Sequence, residues 1–277
     1  MSVYSPEWLG LREDADAAAR STELLSELTD RLTSCAGSRR TDPLVIRDLG
    51  CGTGSMGRWL AGRLPGPQHW ILHDRDPALL DLAVRHLPTT ASDGRPVTAE
   101  TRRQDVTELT AAELAGTSLV TASALLDLLT ADEVDRLAGA CVAAGCPALL
   151  VLSVAGGVEL TPADPLDAEI SVAFNDHQRR AVSGRTLLGP EAAGVAAEAF
   201  TRHGALVRTR STPWRLDADR SALTAEWLRG WVAAAVEQRP ELAGPAEAYV
   251  SRRLAECAAG GLRAVVDHTD LLALPPV

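Results

Sequence analysis

The chain has 277 residues, 46% of them hydrophobic, which is enough to bury a sizeable core in one large domain or in a domain with an appended lobe. Its net charge of −10 at pH 7 argues against a nucleic-acid substrate, because phosphate backbones require a basic surface. No apolar run reaches the roughly 18 residues that a membrane-spanning helix needs, so we expect no membrane partner.

Cysteine usage and the first residues bear on location and metal content. The five cysteines are odd in number and lack CxxC spacing, which disfavours a disulfide framework and a zinc site. The six histidines show no ligand spacing either, and we expect no metal. Residues 1–20 contain no basic-then-apolar signal segment. These observations favour a protein of the reducing cytoplasm.

The first 40 residues are predicted to be helical, because Leu24, Leu25, Leu28 and Leu32 recur at helical spacing. We expect this segment, 1–40, to act as a lid on a main domain that covers 41–277.

The segment 44–54 carries the most informative pattern of the chain. A short apolar strand is predicted at 44–49, followed by glycines at alternate positions and by a helix at 55–64. Glycines at such a turn permit backbone conformations barred to other residues and let a ligand approach main-chain N–H groups. The acidic Asp48 near the strand end would repel a phosphate, and it favours a ligand with a positive end.

The same run also fits a different kind of nucleotide site. Gly52, Gly54 and Gly57 satisfy the G-x-G-x-x-G pattern, and Asp74 follows about 20 residues later, as in dinucleotide-binding folds. However, Gly52 lies four residues beyond Asp48, whereas the dinucleotide pattern begins directly after its strand. A nicotinamide site is therefore the alternative.

Strands and helices continue to alternate after this turn. Further strands are predicted at 69–74, 98–104, 118–122 and 148–154, the last of which is a continuous apolar run typical of a central parallel strand. Pro77 begins one intervening helix, and Thr130 with Glu133 forms a capping box for another. This alternation predicts an α/β fold with a doubly wound, mostly parallel sheet.

The alternation changes after residue 154. Segment 156–189 has no long periodic run, although a short helix is predicted within it at 166–179. The later elements are predicted as a helix at 190–203, a strand at 204–210, helices at 221–238 and 245–259, and a last strand at 262–268. We expect 156–189 and 220–259 to be helical lid insertions over the carboxyl edge of the sheet, where ligands bind in open α/β folds.

Taken together, these motifs resemble a known family. Asp48, Gly50, Gly52 and Gly54 are similar to motif I of the class I S-adenosylmethionine-dependent methyltransferases, an Asp/Glu-x-Gly-x-Gly-x-Gly pattern. An acidic residue also ends the second strand, another follows the third, and segment 120–127 after the fourth is similar to motif IV. The resemblance is close over 44–155. It implies a seven-stranded Rossmann-like sheet, S-adenosylmethionine as cofactor, and transfer of a methyl group to a small molecule.

The resemblance also implies roles for particular residues. Asp74 would accept the ribose hydroxyls, Asp105 would accept the adenine amino group, and Val106 would pack on the adenine. Asp105 equally fits a helix cap, and Asp127 fits a cap or a solvated carboxylate. The complete set of expected cofactor-binding residues is Asp48, Gly50, Cys51, Gly52, Gly54, Asp74, Arg75, Asp105, Val106 and Ser123.

A polar and cationic cluster at 174–180 is the candidate acceptor site. In an acidic protein such a cluster indicates an anionic acceptor, such as a carboxylate or diphosphate metabolite, held by guanidinium groups. A solvated helix end explains the same residues equally well. The expected acceptor-binding residues are Asn175, His177, Gln178, Arg179 and Arg180, with His177 as the candidate catalytic base.

Three functions are compatible with these patterns. The first is a methyltransferase acting on a small molecule, with the lid segments supplying the acceptor pocket. The second is a nicotinamide-dependent oxidoreductase built on the same sheet. The third is a catalytically silent S-adenosylmethionine-binding protein that regulates a partner, because no base is compelling. The sequence does not choose among O-, N- and C-acceptors, nor does it specify an oligomeric state.

Overall fold

The computed structural model describes residues 5–34 and 42–276. Helix α1 (Pro6–Ala19) begins at Ser5, whose hydroxyl accepts a hydrogen bond from the main-chain N–H of Trp8 at 3.2 Å. Helix α2 (Thr22–Ser34) follows, and its regularly spaced leucines are buried in the core beside the sheet. Residues 1–40 were expected to form a lid. Within this segment α2 belongs to the core, and α1 approaches the carboxyl edge of the sheet.

Ten strands and seven further helices follow in the described part of the chain. The strands are β1 (Leu44–Leu49), β2 (Gln68–Asp74), β3 (Val97–Arg103), β4 (Leu119–Ser123), β5 (Ala148–Thr161), β6 (Ala181–Val182), β7 (Arg185–Thr186), β8 (Leu206–Ser211), β9 (Trp214–Leu216) and β10 (Arg263–Leu274). The helices are α3 (Ser55–Ala61), α4 (Pro77–His86), α5 (Ala131–Ala143), α6 (Asp167–Gln178), α7 (Ala192–Arg202), α8 (Ser221–Gln238) and α9 (Ala243–Ala258).

The strands form one large sheet and one small hairpin. The order along the large sheet is β3-β2-β1-β4-β5-β10-β8, with β9 paired to β10, and β6 with β7 forms the hairpin. Strands β1 to β5 pair in parallel, whereas β10 is antiparallel to β5, β8 and β9. This arrangement confirms the predicted doubly wound, mostly parallel α/β sheet, with eight strands where seven were expected.

The predicted bounds of two strands, 148–154 and 262–268, are wrong. Both strands are longer, because β5 and β10 pair from Ala148↔Ala273 to Arg263↔Thr161 and so form a ribbon that extends past the rest of the sheet. Gly156 and Gly157 lie within this part of β5, and glycines weaken the sequence signal for a strand.

Buried side chains form three clusters. One lies under α2, α3 and α4 on one face of the sheet, and a second lies under α5 and α7 on the other face. The third packs α6, α8 and α9 against the β5–β10 ribbon and β9, and it includes Trp214, Trp231 and Tyr249. The ribbon therefore carries a helical lobe beside the carboxyl edge of the sheet. No helix among residues 5–34 and 42–276 combines the length and apolarity needed to cross a membrane.

Candidate functional site

The turn between β1 and α3 depends on its glycines. Gly50, Gly52 and Gly54 have φ angles of 61°, 54° and 87°, a left-handed region that other residues rarely occupy. Gly54 is also tightly packed, since a Cβ atom there would lie 3.0 Å from the Cα of Ala83 in α4. These positions therefore require glycine for the backbone to turn and for α3 to start against α4.

A cavity of about 690 Å³ opens at the carboxyl ends of β1 to β4. This volume lies within the roughly 300–1,000 Å³ typical of small-molecule sites. Four segments after these strands line it: the glycine turn (Gly50, Cys51, Gly52, Thr53), the end of β2 (Asp74, Arg75, Asp76, Pro77), the residues after β3 (Gln104, Val106, Thr107) and those after β4 (Ser123, Ala124, Leu125).

Asp74 joins two of these segments. Its Oδ2 accepts a hydrogen bond from the N–H of Gly52 at 3.0 Å, and its Oδ1 accepts one from the N–H of Asp76, also at 3.0 Å. Each carboxylate oxygen has two lone pairs, so both retain acceptor capacity beside the cavity. The side chain is thus held in a fixed orientation and can still bind donors such as hydroxyl groups.

Asp48 lies beneath the turn, outside the lining of the cavity. It is 1% exposed, its Oδ1 accepts a hydrogen bond of 2.8 Å from the hydroxyl of Thr121, and its Oδ2 is buried with no donor. Burial raises the pKa of Asp48 to about 7, against the hydrogen bond from Thr121 and the positive charge of Arg20, which lower it. A positive group that approached the turn would satisfy this carboxylate.

Asp105 is a local cap, the alternative that the sequence left open. Its Oδ1 accepts hydrogen bonds from the N–H and the hydroxyl of Thr107 at 3.0 and 2.8 Å, and its Oδ2 accepts one from Arg75 at 2.5 Å. Partial burial of Asp105 opposes ionisation, but these bonds lower its pKa to about 2. Its neighbour Val106 lines the cavity, whereas Asp105 does not.

Helix α1 forms a wall of the cavity through Leu9, Arg12 and Asp16. The Leu9 side chain lies 3.2 Å from the position that a Cβ of Gly52 would take. Glu13, on the same helix, forms a two-pronged ion pair with Arg58 of α3, at 2.5 and 2.6 Å. The helix is therefore fastened directly over the glycine turn. Leu9 and Asp16 were not recognised from the sequence.

A second set of contacts joins α1 to the helical lobe. Arg12 donates to both carboxylate oxygens of Asp16, at 3.0 and 3.2 Å, and the indole N–H of Trp214 donates to the same carboxylate at 3.0 Å. The guanidinium of Arg12 also lies 4.9 Å from the ring centroid of Trp214. Arg12 and Asp16 are one helical turn apart, and this spacing signals the ion pair between them. Nothing in the sequence signals the hydrogen bond from Trp214.

Arg20 places a buried positive charge beside the glycine turn. It is 3% exposed, and its Nη2 donates to the hydroxyls of Ser55 and Ser123 at 3.0 and 3.3 Å. Both serines line the cavity, one at the start of α3 and the other at the end of β4. Burial lowers the pKa of Arg20, and the carboxylates of Asp16 and Asp48 raise it. This residue, too, is absent from the predicted site.

The residues predicted to bind the acceptor lie outside the lining of this cavity. Their arginines are paired within the protein. Arg179 donates to Glu191 at 2.5–2.9 Å and lies 3.5 Å from Asp176. Arg180 lies 3.2 Å from the Nδ1 of His177. These contacts argue against the predicted anion clamp, because the guanidinium of Arg179 is already neutralised by a carboxylate.

The remaining predicted acceptor residues lie in the last turn of α6. The Nε2 atom of His177 is 3.3 Å from Glu237, and burial together with the charge of Arg180 lowers the pKa of His177. Asn175 donates to the carbonyl of Gly156 at 3.0 Å, while its Oδ1, like Oε1 of Gln178, is buried without a donor. These residues thus belong to the lobe beside the cavity, where His177 has a carboxylate neighbour of its own.

Within residues 5–34 and 42–276, no group of three or more His, Cys, Asp or Glu side chains is arranged to hold a metal ion. The free cysteines of these ranges are all buried; burial raises the pKa of Cys51, and the nearby Asp48 and Asp74 add to the rise. Cys35 lies outside the described residues.

Comparison with known proteins identifies the fold. Neither the models of protein families nor the curated protein sequences contain a match to the chain. Among solved structures, the chain is similar to the cyclopropane synthase MmaA2 from Mycobacterium tuberculosis, with 12% identity and a TM-score of 0.50 over 97% of this chain and 94% of that one. The chain has the class I methyltransferase fold.

Two weaker structural similarities are with enzymes solved with bound S-adenosylhomocysteine. The first is magnesium protoporphyrin IX methyltransferase from Synechocystis PCC 6803, with 14% identity and a TM-score of 0.41 over 69% of this chain and 76% of that one. The second is phosphoethanolamine N-methyltransferase 2 from Haemonchus contortus, with 15% identity and a TM-score of 0.46 over 100% of this chain and 59% of that one.

Proposed function

We propose that the chain is an S-adenosylmethionine-dependent methyltransferase that acts on a small-molecule acceptor. The observation that carries the proposal is the glycine turn, joined to Asp74 through the N–H of Gly52, at one wall of the 690 Å³ cavity. The glycine turn, the carboxylate of Asp74 and the ends of β3 and β4 all line this cavity. They follow one another along the chain as the family resemblance implies.

The residues around the cavity suit the chemical groups of this cofactor. Asp74 retains lone pairs for the ribose hydroxyls, and Val106 with Leu128 offers apolar contact for the adenine. The main chain of Gly50 to Thr53, which lines the cavity, would contact the methionine part. Asp48 beneath it has an oxygen without a donor, which suits an ammonium group, and the buried guanidinium of Arg20 suits a carboxylate.

The chemistry asks little of the protein's own side chains. When bound, the cofactor supplies a methyl group that its sulfonium has already made electrophilic. The protein then contributes mainly by holding donor and acceptor in line and excluding water, effects that in favourable cases reach several kcal/mol. Leu9 and Arg12, over the glycine turn, are placed to exclude water from this end of the cavity.

The nicotinamide alternative is less favoured, for two reasons. Dinucleotide-binding sheets of this kind have the order 3-2-1-4-5-6, whereas here the antiparallel strand β10 lies between β5 and β8. In addition, the carboxyl group of Asp48 lies buried beneath the turn that precedes α3, where a pyrophosphate would bind. Like charges so close to each other oppose binding.

Binding and turnover measurements test the proposal. We expect calorimetry to detect binding of S-adenosylmethionine and S-adenosylhomocysteine but not of NAD. Binding of NAD without binding of either sulfur compound would overturn the proposal in favour of an oxidoreductase. A tritiated methyl group on the cofactor then separates an enzyme from a silent binder, since a silent binder would transfer no label to a broad panel of metabolites.

A further inference from the structure

Asp270 on β10 is fully buried, and its carboxylate joins three distant segments of the chain. Oδ1 accepts hydrogen bonds from the N–H of Leu152 at 2.8 Å and from the hydroxyl of Thr212 at 2.9 Å. Oδ2 accepts one from the N–H of Ser21 at 2.8 Å. Burial raises the pKa of Asp270, while these three bonds and the charge of Arg20 lower it. A buried carboxylate with this many donors holds its neighbours in fixed positions.

The bond to Leu152 fixes a strained part of β5. Leu152 has a φ angle of 56°, which a bulky side chain rarely adopts. It belongs to a β-bulge, since Val151 and Leu152 together lie opposite Asp270, where the pairing of β5 with β10 shifts by one residue. The carbonyl of Val151 accepts a hydrogen bond of 3.0 Å from the N–H of Ala124, which has a φ angle of 50° and lines the cavity. Strained residues persist only where their surroundings hold them, so Asp270 helps to fix this wall.

The bond to Ser21 fixes Arg20, the residue before it. Nη2 of Arg20 donates to the hydroxyls of Ser55 and Ser123, and its Nε is buried without an acceptor in the described ranges. A hydroxyl oxygen that accepts from a guanidinium keeps its own hydrogen for another acceptor. Both serines line the cavity, so each can donate into it with the positive charge of Arg20 behind them. A carboxylate is a ligand group that suits this arrangement.

We propose that Asp270 is a positioning residue for the cofactor: through Ser21 it holds Arg20 behind the two serine hydroxyls that receive the carboxylate of the methionine part. Through Leu152 it holds the end of β4 beside them. This inference rests on the proposed methyltransferase function. Asp270 itself lies outside the lining of the cavity. Its charge favours the charged form of Arg20, and because it accepts from other groups, the donors of Arg20 stay with the serines.

This role predicts which part of a ligand the residue affects. S-adenosylhomocysteine carries the amino-acid group, whereas methylthioadenosine has the same nucleoside and a sulfur atom without that group. The ratio of the two affinities, measured by calorimetry, therefore reports the carboxylate site. A change that merely loosens the fold should weaken both ligands alike and leave the ratio unchanged.

The first comparison uses Ser21, whose N–H reaches Asp270 and whose hydroxyl accepts from the N–H of Leu24 at 3.2 Å. Ser21→Ala removes the hydroxyl alone, and Ser21→Pro removes the hydroxyl and the N–H. The φ and ψ angles of Arg20, −53° and 135°, suit a residue that precedes proline. Relative to wild type, Ser21→Pro should lower the ratio about 10- to 100-fold in favour of methylthioadenosine, the effect of losing a hydrogen bond to a charged group, and Ser21→Ala should change it less than about twofold.

The second comparison changes the carboxylate itself. Asp270→Asn removes the charge and leaves one oxygen to accept, so at least one donor loses its partner. Thr212→Val, which removes a different donor to the same carboxylate, is the control: it should lower the melting temperature and leave the ratio unchanged. Arg20→Met should lower the ratio, and adding Asp270→Asn to it should lower the ratio no further, because the two residues act on the same group.

The outcomes separate this inference from the proposed function. Failure of the wild type to bind S-adenosylhomocysteine overturns both. A wild type that binds, with an unchanged ratio in Ser21→Pro and Asp270→Asn, overturns the role of Asp270 alone. If Asp270→Asn does not fold, the pair Ser21→Pro and Ser21→Ala still decides, since both keep the buried carboxylate.

Discussion

The main-chain N–H of Gly52 donates a hydrogen bond of 3.0 Å to Oδ2 of Asp74, 22 residues further along the chain. The bond ties the turn after β1 to the end of β2, so the two segments that the cofactor would contact are positioned by each other. Cofactor affinity should therefore depend strongly on this carboxylate.

Replacing Asp74 by alanine should weaken binding of S-adenosylhomocysteine by about 10- to 150-fold, because hydrogen bonds to a charged group contribute about 1.5–3 kcal/mol. Calorimetry measures the change, and urea unfolding confirms that the variant is folded. Asp81→Ala, which removes an exposed carboxylate from α4, is the matched control and should leave affinity unchanged. Equal affinities in the two variants would show that Asp74 is not a cofactor ligand.

Gly54→Ala should destabilise the protein more than Gly94→Ala. Both glycines have positive φ angles, 87° and 79°, so either alanine should cost about 1–2 kcal/mol of backbone strain. Only at Gly54 would the new Cβ also meet backbone, 3.0 Å from Cα of Ala83, whereas the space around Gly94 is open. Urea unfolding measures both free energies; similar losses would mean that α3 and α4 separate without penalty.

Cofactor binding should release a proton from Asp48. Burial raises the pKa of Asp48 to about 7, so the carboxyl is mostly protonated near pH 6 in the ligand-free protein. A positive ligand group beside it favours the carboxylate and lowers that pKa. We expect a release of up to about one proton per site at pH 6 and almost none above pH 8. Calorimetry in buffers of different ionisation enthalpy measures the release.

The variant Asp48→Asn keeps a partner for Thr121 and cannot titrate, so its proton release should be smaller at pH 6. The raised pKa of Asp48 also makes the stability of the folded protein depend on pH. Because the folded protein holds this proton more tightly than the unfolded chain, the cost of Asp48 grows as pH rises from about 4 to about 7. The stability of Asp48→Asn relative to wild type should increase over that range, and a constant difference would contradict the raised pKa.

Loosening α1 should speed cofactor release. Glu13→Gln removes the charge that binds Arg58 and so weakens the attachment of α1 to α3. A partly exposed ion pair contributes up to about 1 kcal/mol, which corresponds to at most about a fivefold faster dissociation. Stopped-flow displacement of S-adenosylhomocysteine measures the rate. Asp14→Asn, an exposed position on the same helix, should dissociate like wild type; equal rates in both variants would mean that α1 does not move during release.

The strand, glycine turn and helix at the start of the sheet were predictable from the sequence. The spacing of apolar residues and the positions of glycines are properties of a short stretch of chain and need no tertiary contact. The cap of α4 is local as well, since Asp76 directly precedes Pro77 and its carboxylate accepts a hydrogen bond from the N–H of Ala78. The alternation of strands and helices along the chain predicted the order of the α/β units. That order brings Asp74, Val106 and Ser123 together at one edge of the sheet.

Some of what surrounds the turn depends on contacts between distant parts of the chain. Arg20 reaches Ser123 across 103 residues, and Asp16 reaches Trp214 across 198, so no local pattern signals either contact. Arg179 and Glu191 are only 12 residues apart, but they lie in different elements, and their ion pair neutralises a guanidinium that the sequence assigned to an anion clamp.

The sequence by itself thus determined the α/β sheet and the glycine turn with its carboxylates, because these arise from residue period, backbone freedom and spacing. Only the tertiary structure decided which charges remain free. Whether Asp127, His177 or Arg179 has a partner depends on the groups that packing brings near it, and burial makes an unpaired group costly.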